Sequence, residues 1–216
     1  MKKISVLLVD DHAVVRAGFR MLLSTTDSIR IVAEAERGEV ACQLYFQIKP
    51  DVVVLDLSMP GIGGLECIRR ICSRDPSAKI LVFSVHDESV YVNRAIEAGA
   101  SGYITKSSAP ETLVDGIKEI MAGNTYVRLE TEKNTPNSSK NPIEVDFKAV
   151  IDKLTPKEFD VFCLLAKGLT ARKIADELCL GYKTVANYGT QIKTKFNVSS
   201  VAELAHIATV LGVIRN

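Results

Sequence analysis

Two rhythms of apolar and polar residues divide the chain. Over its first 120 or so residues, short aliphatic runs alternate with longer stretches in which apolar side chains recur every third or fourth position. Ser5–Val9, Ile31–Ala33, Val52–Leu55, Ile80–Phe83 and Gly102–Ile104 read as strands. The intervening His12–Leu23, Val40–Ile48, Gly64–Cys72, Glu88–Ala98 and Pro110–Met121 read as helices. SVLLV and VVVL carry no polar alternation beyond the first serine, which suits strands of a parallel sheet covered on both faces. Five such strand–helix units predict a doubly wound, flavodoxin-like α/β domain with a five-stranded parallel sheet. Ligands in such a fold sit beyond the carboxyl ends of the strands, at the switch point.

From Leu154 onward the spacing is helical throughout. Thr155-Pro156 with Glu158 reads as an N-cap, a Pro at the first helical position and a capping box, and Gly168 ends that helix. Thr170 opens a second helix that stops near Leu180-Gly181, a third begins at Lys183, and a fourth runs from about Ser199 to Leu211. Helix, short glycine-containing turn and helix make a helix-turn-helix, so the tail is expected to be a small all-α domain. Between the two patterns, Thr131 to Pro142 (TEKNTPNSSKNP) offers no large apolar side chain and reads as linker. The expected organisation is residues 1–128, a linker over 129–150, and a helical domain over 151–216.

Composition and charge sharpen this division. The chain has 216 residues, 47% hydrophobic and 25% charged, with a net charge of +1. That total conceals a net −1 over residues 1–128, −1 over 129–153 and +3 over 154–216. No apolar run approaches the ~20 residues of a membrane span, and Met1-Lys2-Lys3 followed by Ile4–Val9 does not read as a signal peptide. A cytoplasmic protein with no membrane partner is expected. Five scattered cysteines with no CxxC pair argue for reduced thiols rather than a disulfide framework or zinc site.

The strand ends hold the chemistry. The first strand finishes in Asp10-Asp11 and the third in Asp56, while the fourth ends in Ser84 and the fifth in Tyr103-Ile104-Thr105-Lys106. Three carboxylates at one rim repel unless a cation joins them, and a hard divalent ion such as Mg²⁺ suits oxygen ligands. A hydroxyl and a lysine beside them fit phosphoryl transfer to a carboxylate. Asp10 taken alone reads equally as a helix cap, and Tyr103 as a plain strand aromatic. His86, two residues past Ser84, reads as a solvated loop residue. No GxxxxGK[ST] or GxGxxG cradle for a nucleotide occurs.

In the tail, Val185, Tyr188, Ile192 and Phe196 form the inward stripe of the third helix. Lys183, Ala186, Asn187, Thr190 and Thr194 fall opposite, flanked by Lys193 and Lys195, and no acid occurs between Glu177 and Glu203. Small, amide and hydroxyl side chains can approach base edges, and lysines and Thr184 can reach phosphates.

Both halves resemble known families. Residues 4–122 resemble a response-regulator receiver domain at VLLVDDH, VVLDLSMPGIGGLE, FSVH and GASGYITK. The resemblance implies that Asp56 accepts the phosphoryl group and that Asp10, Asp11, Asp56 and the Ser58 backbone carbonyl hold Mg²⁺ (or Mn²⁺). It implies further that Ser84 and Lys106 bind the phosphoryl oxygens and that Tyr103 is the switch aromatic. Many receivers have Pro after the lysine, whereas Ser107 and Ser108 follow here. The tail from about Leu154 to Ile214 resembles LuxR-type helix-turn-helix domains at LTPKEFDVFCLLAKGLTARKIADELCL and KTVANY. By that analogy Ala186, Asn187 and Thr190 face bases, and Lys183, Thr184 and Lys193 contact the DNA backbone. Gly181 replaces the usual Ser cap, and Gly189 lies mid-helix where a longer residue is common.

Together the two resemblances imply a NarL/FixJ-class response regulator leaning towards the GacA/UvrY-like group. Its partners are expected to be a sensor histidine kinase, double-stranded promoter DNA and, when active, a second copy of itself. It is expected not to be an enzyme beyond assisting its own phosphotransfer and dephosphorylation. A phosphohydrolase using Asp56 would want a second Asp two residues on, where Ser58 stands. A phosphorelay or scaffold protein would show no affinity of its tail for duplex DNA.

Overall fold

The computed structural model describes residues 3–129 and 142–214, without the side chains of 142–146, and the chain folds as two compact units. The expected linker residues 130–141 lie outside the described residues.

The first unit is a parallel sheet in the order β2-β1-β3-β4-β5-β6. Its strands are β1 (Ile4–Val9), β2 (Ile29–Ala35), β3 (Val52–Leu55), β4 (Ile80–Ser84), β5 (Gly102–Thr105) and β6 (Tyr126–Arg128). Helices α1 (Ala13–Ser24), α2 (Gly38–Ile48), α3 (Gly63–Arg74), α4 (Ser89–Glu97) and α5 (Pro110–Met121) connect them. All ten elements expected over this half are present. The sheet has six strands rather than the expected five, because Tyr126–Arg128 adds a three-residue parallel edge to β5. Three residues are too few to display a periodicity, so only the tertiary pairing reveals this strand.

Period-two alternation sends successive strand residues to opposite faces. Val6, Leu8, Val52, Val54, Leu81 and Ile104 pack with Phe19 and Leu23 of α1 and with Leu113, Ile117 and Ile120 of α5. Leu7, Val9, Val53, Leu55, Ile80, Val82 and Tyr103 are buried as well. Each such side chain contributes roughly 1.5–3 kcal/mol on leaving water, which explains the unbroken aliphatic runs. The order reverses between β1 and β3, so Asp10 and Asp56 come together at the switch point. At Gly64 a Cβ would lie 2.4 Å from the Asp56 carbonyl oxygen, so only glycine lets α3 pass this close to the end of β3.

The second unit comprises α6 (Pro142–Asp152), α7 (Pro156–Ala166), α8 (Ala171–Glu177), α9 (Tyr182–Phe196) and α10 (Val201–Val210). Helix α6 occupies the last residues of the stretch expected to be linker and extends two residues past it. Its turn of chain has a tertiary reason to form: Ile151 is fully buried and the Phe147 ring lies 6.3 Å from that of Phe196. The capping box of Thr155 and Glu158 forms as expected, and Gly168 follows α7 with φ +81, where a side chain would be strained. A second capping box, Ser200 with Glu203, starts α10. Val185, Ile192 and Phe196 of α9 are buried, with the Phe162 and Phe196 rings stacked at 5.2 Å.

Candidate functional site

Asp10 and Asp56 are both buried at the ends of adjacent strands. Two carboxylates so placed need positive charge, and Lys106, just past β5, supplies it. Its Nζ donates to Asp10 Oδ2 at 2.7 Å and to Asp56 Oδ2 at 2.8 Å. Burial pushes the Asp56 carboxyl above its ordinary range, with the Asp10 charge adding to the effect and Lys106 opposing it. Burial pulls the Lys106 ammonium down, but Asp56 and Asp10 outweigh it and hold it above its usual value. One ammonium is therefore shared between two acids.

Asp11 adds a third carboxylate. Its Oδ1 is buried, has no hydrogen-bond donor, and lies 2.9 Å from His12 Nδ1 without the alignment of a hydrogen bond. Ligand atoms of Asp10, Asp11, His12 and Asp56 lie within 4.8 Å of one another. Three carboxylates, one of them with an orphaned oxygen, match the donor set a hard divalent cation takes. Asp10 Oδ1 also accepts the His12 amide at 2.8 Å, but His12 is the N-cap of α1 and no side chain caps that helix, so the structure does not use Asp10 as the cap that its position before the helix suggested.

The remaining expected residues surround this centre. The Ser58 amide donates to Asp56 Oδ1 at 3.2 Å. Ser84 is fully buried at the end of β4, where its hydroxyl accepts the His86 amide at 3.3 Å rather than meeting Asp56. Tyr103 is fully buried and donates its hydroxyl to the His86 carbonyl at 2.8 Å. After Lys106 the loop lacking proline is tied by hydroxyls: Ser107 donates to Thr105 at 3.2 Å, and Thr105 and Ser108 share a 2.9 Å hydrogen bond.

Two residues, Arg16 and His12, escaped the sequence reading of this centre. Arg16 is buried and fans out from the first turn of α1, donating to the Asp10 carbonyl at 2.7 Å, to Glu34 at 3.0 Å and to Glu36 at 2.7 Å. A lone arginine in an otherwise apolar turn, four residues after His12, was the available signal. His12 joins the acidic cluster. His86, read as a solvated loop residue, sets its Nε2 3.0 Å from Ser58 Oγ.

On α9, Lys183, Thr184, Asn187, Thr190 and Thr194 are exposed, while Ala186 and Lys193 are half-buried. The Thr190 hydroxyl donates to the Ala186 carbonyl at 3.1 Å and that of Thr194 to the Thr190 carbonyl at 3.0 Å. Both hydroxyl oxygens keep acceptor capacity for an outside donor. Lys195 differs from its neighbours: its Nζ is held by both Glu158 oxygens, at 2.6 and 2.7 Å.

Comparison with known proteins agrees with both halves. Residues 6–118 match the response regulator receiver domain, and residues 152–208 match the bacterial regulatory proteins of the luxR family. The chain belongs to the two-component response regulators that join a receiver to a LuxR-type DNA-binding domain. It is 38% identical to the transcriptional activator protein ExaE of Pseudomonas putida, over 97% of this chain and 98% of that one. It is 35% identical to the response regulator GacA of Pseudomonas aeruginosa, over 98% of both chains. A crystal structure of a LuxR-family two-component response regulator from Aurantimonas sp. SI85-9A1 shares 45% identity and a TM-score of 0.56. The match covers 58% of this chain and 89% of that one. In this response regulator the receiver therefore holds the acidic cluster, and the LuxR-type domain presents the exposed face of α9. Among the described residues, no helix is long and apolar enough to cross a membrane.

Proposed function

We propose that Asp56 is the phosphoacceptor and that its phosphorylation by a sensor histidine kinase switches the DNA affinity of the LuxR-type domain. The observation that carries this reading is the Lys106 ammonium bridging Asp10 and Asp56 beside an Asp11 oxygen that accepts no hydrogen bond. An Asp56 oxygen attacks the phosphorus of a phosphohistidine or small acyl phosphate, the O–P bond forms, and the donor's bond to phosphorus breaks. Lys106 stays at the carboxylate and neutralises charge on the transferring group. Ser84 leaves the His86 amide to bond a phosphoryl oxygen, and Tyr103 responds as the switch aromatic. Asp10, Asp11, Asp56 and the Ser58 carbonyl would hold Mg²⁺ or Mn²⁺, which supplies Lewis-acid stabilisation of the phosphoryl oxygens when bound.

In the tail, Ala186, Asn187 and Thr190 read base edges in the major groove, and Lys183, Thr184 and Lys193 fix the phosphate backbone. Two copies pair in the active state, because one short helix spans too few base pairs alone. The proposed division is a receiver over 1–128, a segment over 129–150 whose last residues form most of α6, and the DNA reader over 151–216. The protein acts in the cytoplasm, and its only chemistry is the gain and loss of its own phosphoryl group.

The experiment is labelling with acetyl phosphate in Mg²⁺. Wild type gains one phosphoryl group and binds promoter fragments more tightly, and Asp56→Asn gains none. Equal labelling of Asp56→Asn and wild type would remove Asp56 from its role.

A further inference from the structure

The facing sides of α2 and α3 hold a pair of sulfurs that the phosphoacceptor chemistry does not use. Cys42 Sγ lies 3.7 Å from Cys67 Sγ. The two thiols differ in environment. Cys67 is fully buried and its thiol donates to the Gly38 carbonyl at 3.5 Å. Cys42 is half-buried and retains access to solvent. Cys72 and Cys179 point instead at backbone carbonyls, of Gly99 at 3.5 Å and Asp176 at 3.9 Å.

We propose that Cys42 and Cys67 form a peroxide-responsive dithiol in the receiver, with Cys42 the attacking sulfur and Cys67 the resolving one. The oxidant is a hydroperoxide, hydrogen peroxide being the simplest. The Cys42 thiolate attacks one peroxide oxygen, an S–O bond forms, and the O–O bond breaks. The departing oxygen takes up a proton and leaves as water. The Cys67 sulfur then attacks the sulfenic sulfur of Cys42, an S–S bond forms, and the S–O bond breaks. The second oxygen leaves as water with the Cys67 proton. Two thiols are oxidised by two electrons, and one peroxide is reduced to two waters.

Geometry favours this step. A disulfide needs its sulfurs at about 2.05 Å, so the pair must approach by roughly 1.7 Å, within reach of side-chain rotation and a small adjustment of two neighbouring helices. The assignment of roles follows from access, since the half-buried sulfur is the more accessible to the oxidant and the fully buried one waits behind it. Charge supports it: the adjacent Cys67 thiol, helped by the Arg70 guanidinium, holds the Cys42 thiol below its ordinary range. Cys67 is pushed up by the neighbouring Cys42 sulfur and by burial. Such a bond suits a reducing compartment only as a transient, thiol-reversible one.

The pair is also placed to be felt at the acidic centre. Cys67 holds the Gly38 carbonyl at the start of α2, and the next residue, Glu39, accepts the Ile62 amide at 3.0 Å. Ile62 belongs to the segment that leaves Asp56 and enters α3, and the Gly64 amide donates back to the Leu57 carbonyl at 3.0 Å. A bond between α2 and α3 therefore fixes the support of the phosphoacceptor loop without touching its ligands.

The test exposes the reduced full-length protein to stoichiometric hydrogen peroxide, blocks remaining thiols with N-ethylmaleimide in denaturant so that buried thiols also react, and maps peptides after cleavage between residues 42 and 67. The expected product is a Cys42–Cys67 linked peptide two hydrogens lighter than its reduced form, restored by dithiothreitol, with Cys72, Cys163 and Cys179 maleimide-labelled. Cys42 is expected to lose maleimide reactivity at least ~10-fold faster than Cys179. In Cys67→Ala, Cys42 persists as a sulfenic acid that dimedone captures; in Cys42→Ser, Cys67 stays reduced. A wild type whose Cys42 remains maleimide-labelled, or in which Cys72 or Cys179 oxidises first, overturns the proposal. The wild-type map decides even where a variant fails to fold.

Discussion

The Tyr103 hydroxyl donates to the backbone carbonyl of His86 at 2.8 Å, tying β5 to the segment that follows β4. From His86 the contacts continue through its Nε2 to Ser58 Oγ at 3.0 Å, and from the Ser58 amide to Asp56 Oδ1 at 3.2 Å. A buried aromatic and the candidate phosphoacceptor are thus joined through three hydrogen bonds. Tyr103→Phe keeps the buried ring and deletes one hydrogen bond to the His86 carbonyl. The expected cost is about 1 kcal/mol, read as a lower urea midpoint with an unchanged m-value. The variant is also expected to weaken the rise in DNA affinity that acetyl phosphate produces while leaving Asp56 labelling intact.

Mg²⁺ should stabilise the receiver because it relieves a charge imbalance already visible there. Asp10 and Asp56 share one ammonium, and Asp11 Oδ1 has no donor. A ligand present at about 100 times its Kd adds roughly 2.7 kcal/mol to a fold that alone binds it. Thermal melts in EDTA, which removes contaminating divalent ions, and with excess Mg²⁺ measure this. Asp56→Asn is expected to melt no lower than wild type in metal-free buffer, since it removes one of three clustered carboxylates, and to lose most of the Mg²⁺ gain. An equal gain in wild type and variant would detach the metal from Asp56.

Most of this centre was legible because its parts sit where strand pattern and acidic residues coincide: Asp10 after VLLV, Asp56 after VVVL, Lys106 after GYIT. Arg16 was not. Arg16 is a charged residue inside an amphipathic helix, and only the tertiary placement of Glu34 and Glu36 makes it a buried prop. His86 was legible as a loop residue beside Ser84, but its contact with Ser58 follows only when β4 and β3 lie side by side. Helix α6 was missed for the same reason, because Ile151 becomes core only when the helices around it assemble. Lys195 shows the converse. Sequence placed it on the flank of the basic face, but its partner Glu158 lies 37 residues earlier.

Lys183 and Lys193 are expected to act through charge alone. No ion pair involving either occurs among the described residues, so both ammonium groups are available to phosphates. Replacing each with Ala should reduce the slope of log K against log salt by about 1 and weaken binding to all duplexes alike. Asn187→Ala should instead reduce discrimination between promoter and random DNA with the salt slope preserved. Unchanged affinity of the double lysine variant across a salt titration would move the DNA interface off α9.

Gly189 weakens the helix that carries this face. A Cβ added there meets only Leu165 Cδ1, at 3.5 Å, an ordinary contact. Gly189→Ala is therefore expected to stabilise the C-terminal unit by up to about 1 kcal/mol, the usual helix-propensity difference. Chemical denaturation followed by circular dichroism measures it. A destabilised variant would mean that Leu165 cannot accommodate the methyl group.

The acid stability of the C-terminal unit should depend on Glu158. This buried carboxylate caps α7 by accepting the Thr155 amide at 2.8 Å and also receives Lys195 from α9 at 2.6 and 2.7 Å. Burial alone would raise its pKa, but the bonds from Lys195 and Thr155 outweigh it and hold it below the ordinary 4.5. A carboxyl with a depressed folded value stabilises the fold above its unfolded pKa, and that contribution disappears as pH falls through the folded one. Glu158→Gln retains an amide oxygen for the cap and removes the charge. It should cost about 1–2 kcal/mol at pH 7, the lower part of the range for a charged hydrogen bond because Lys195 still reaches solvent. The difference between variant and wild type should shrink below pH 4.5 and vanish once both carry a neutral side chain. Hydrogen exchange of α7 and α9 amides across that interval reads the unit directly, and a cost independent of pH would assign the role to capping rather than to the ion pair.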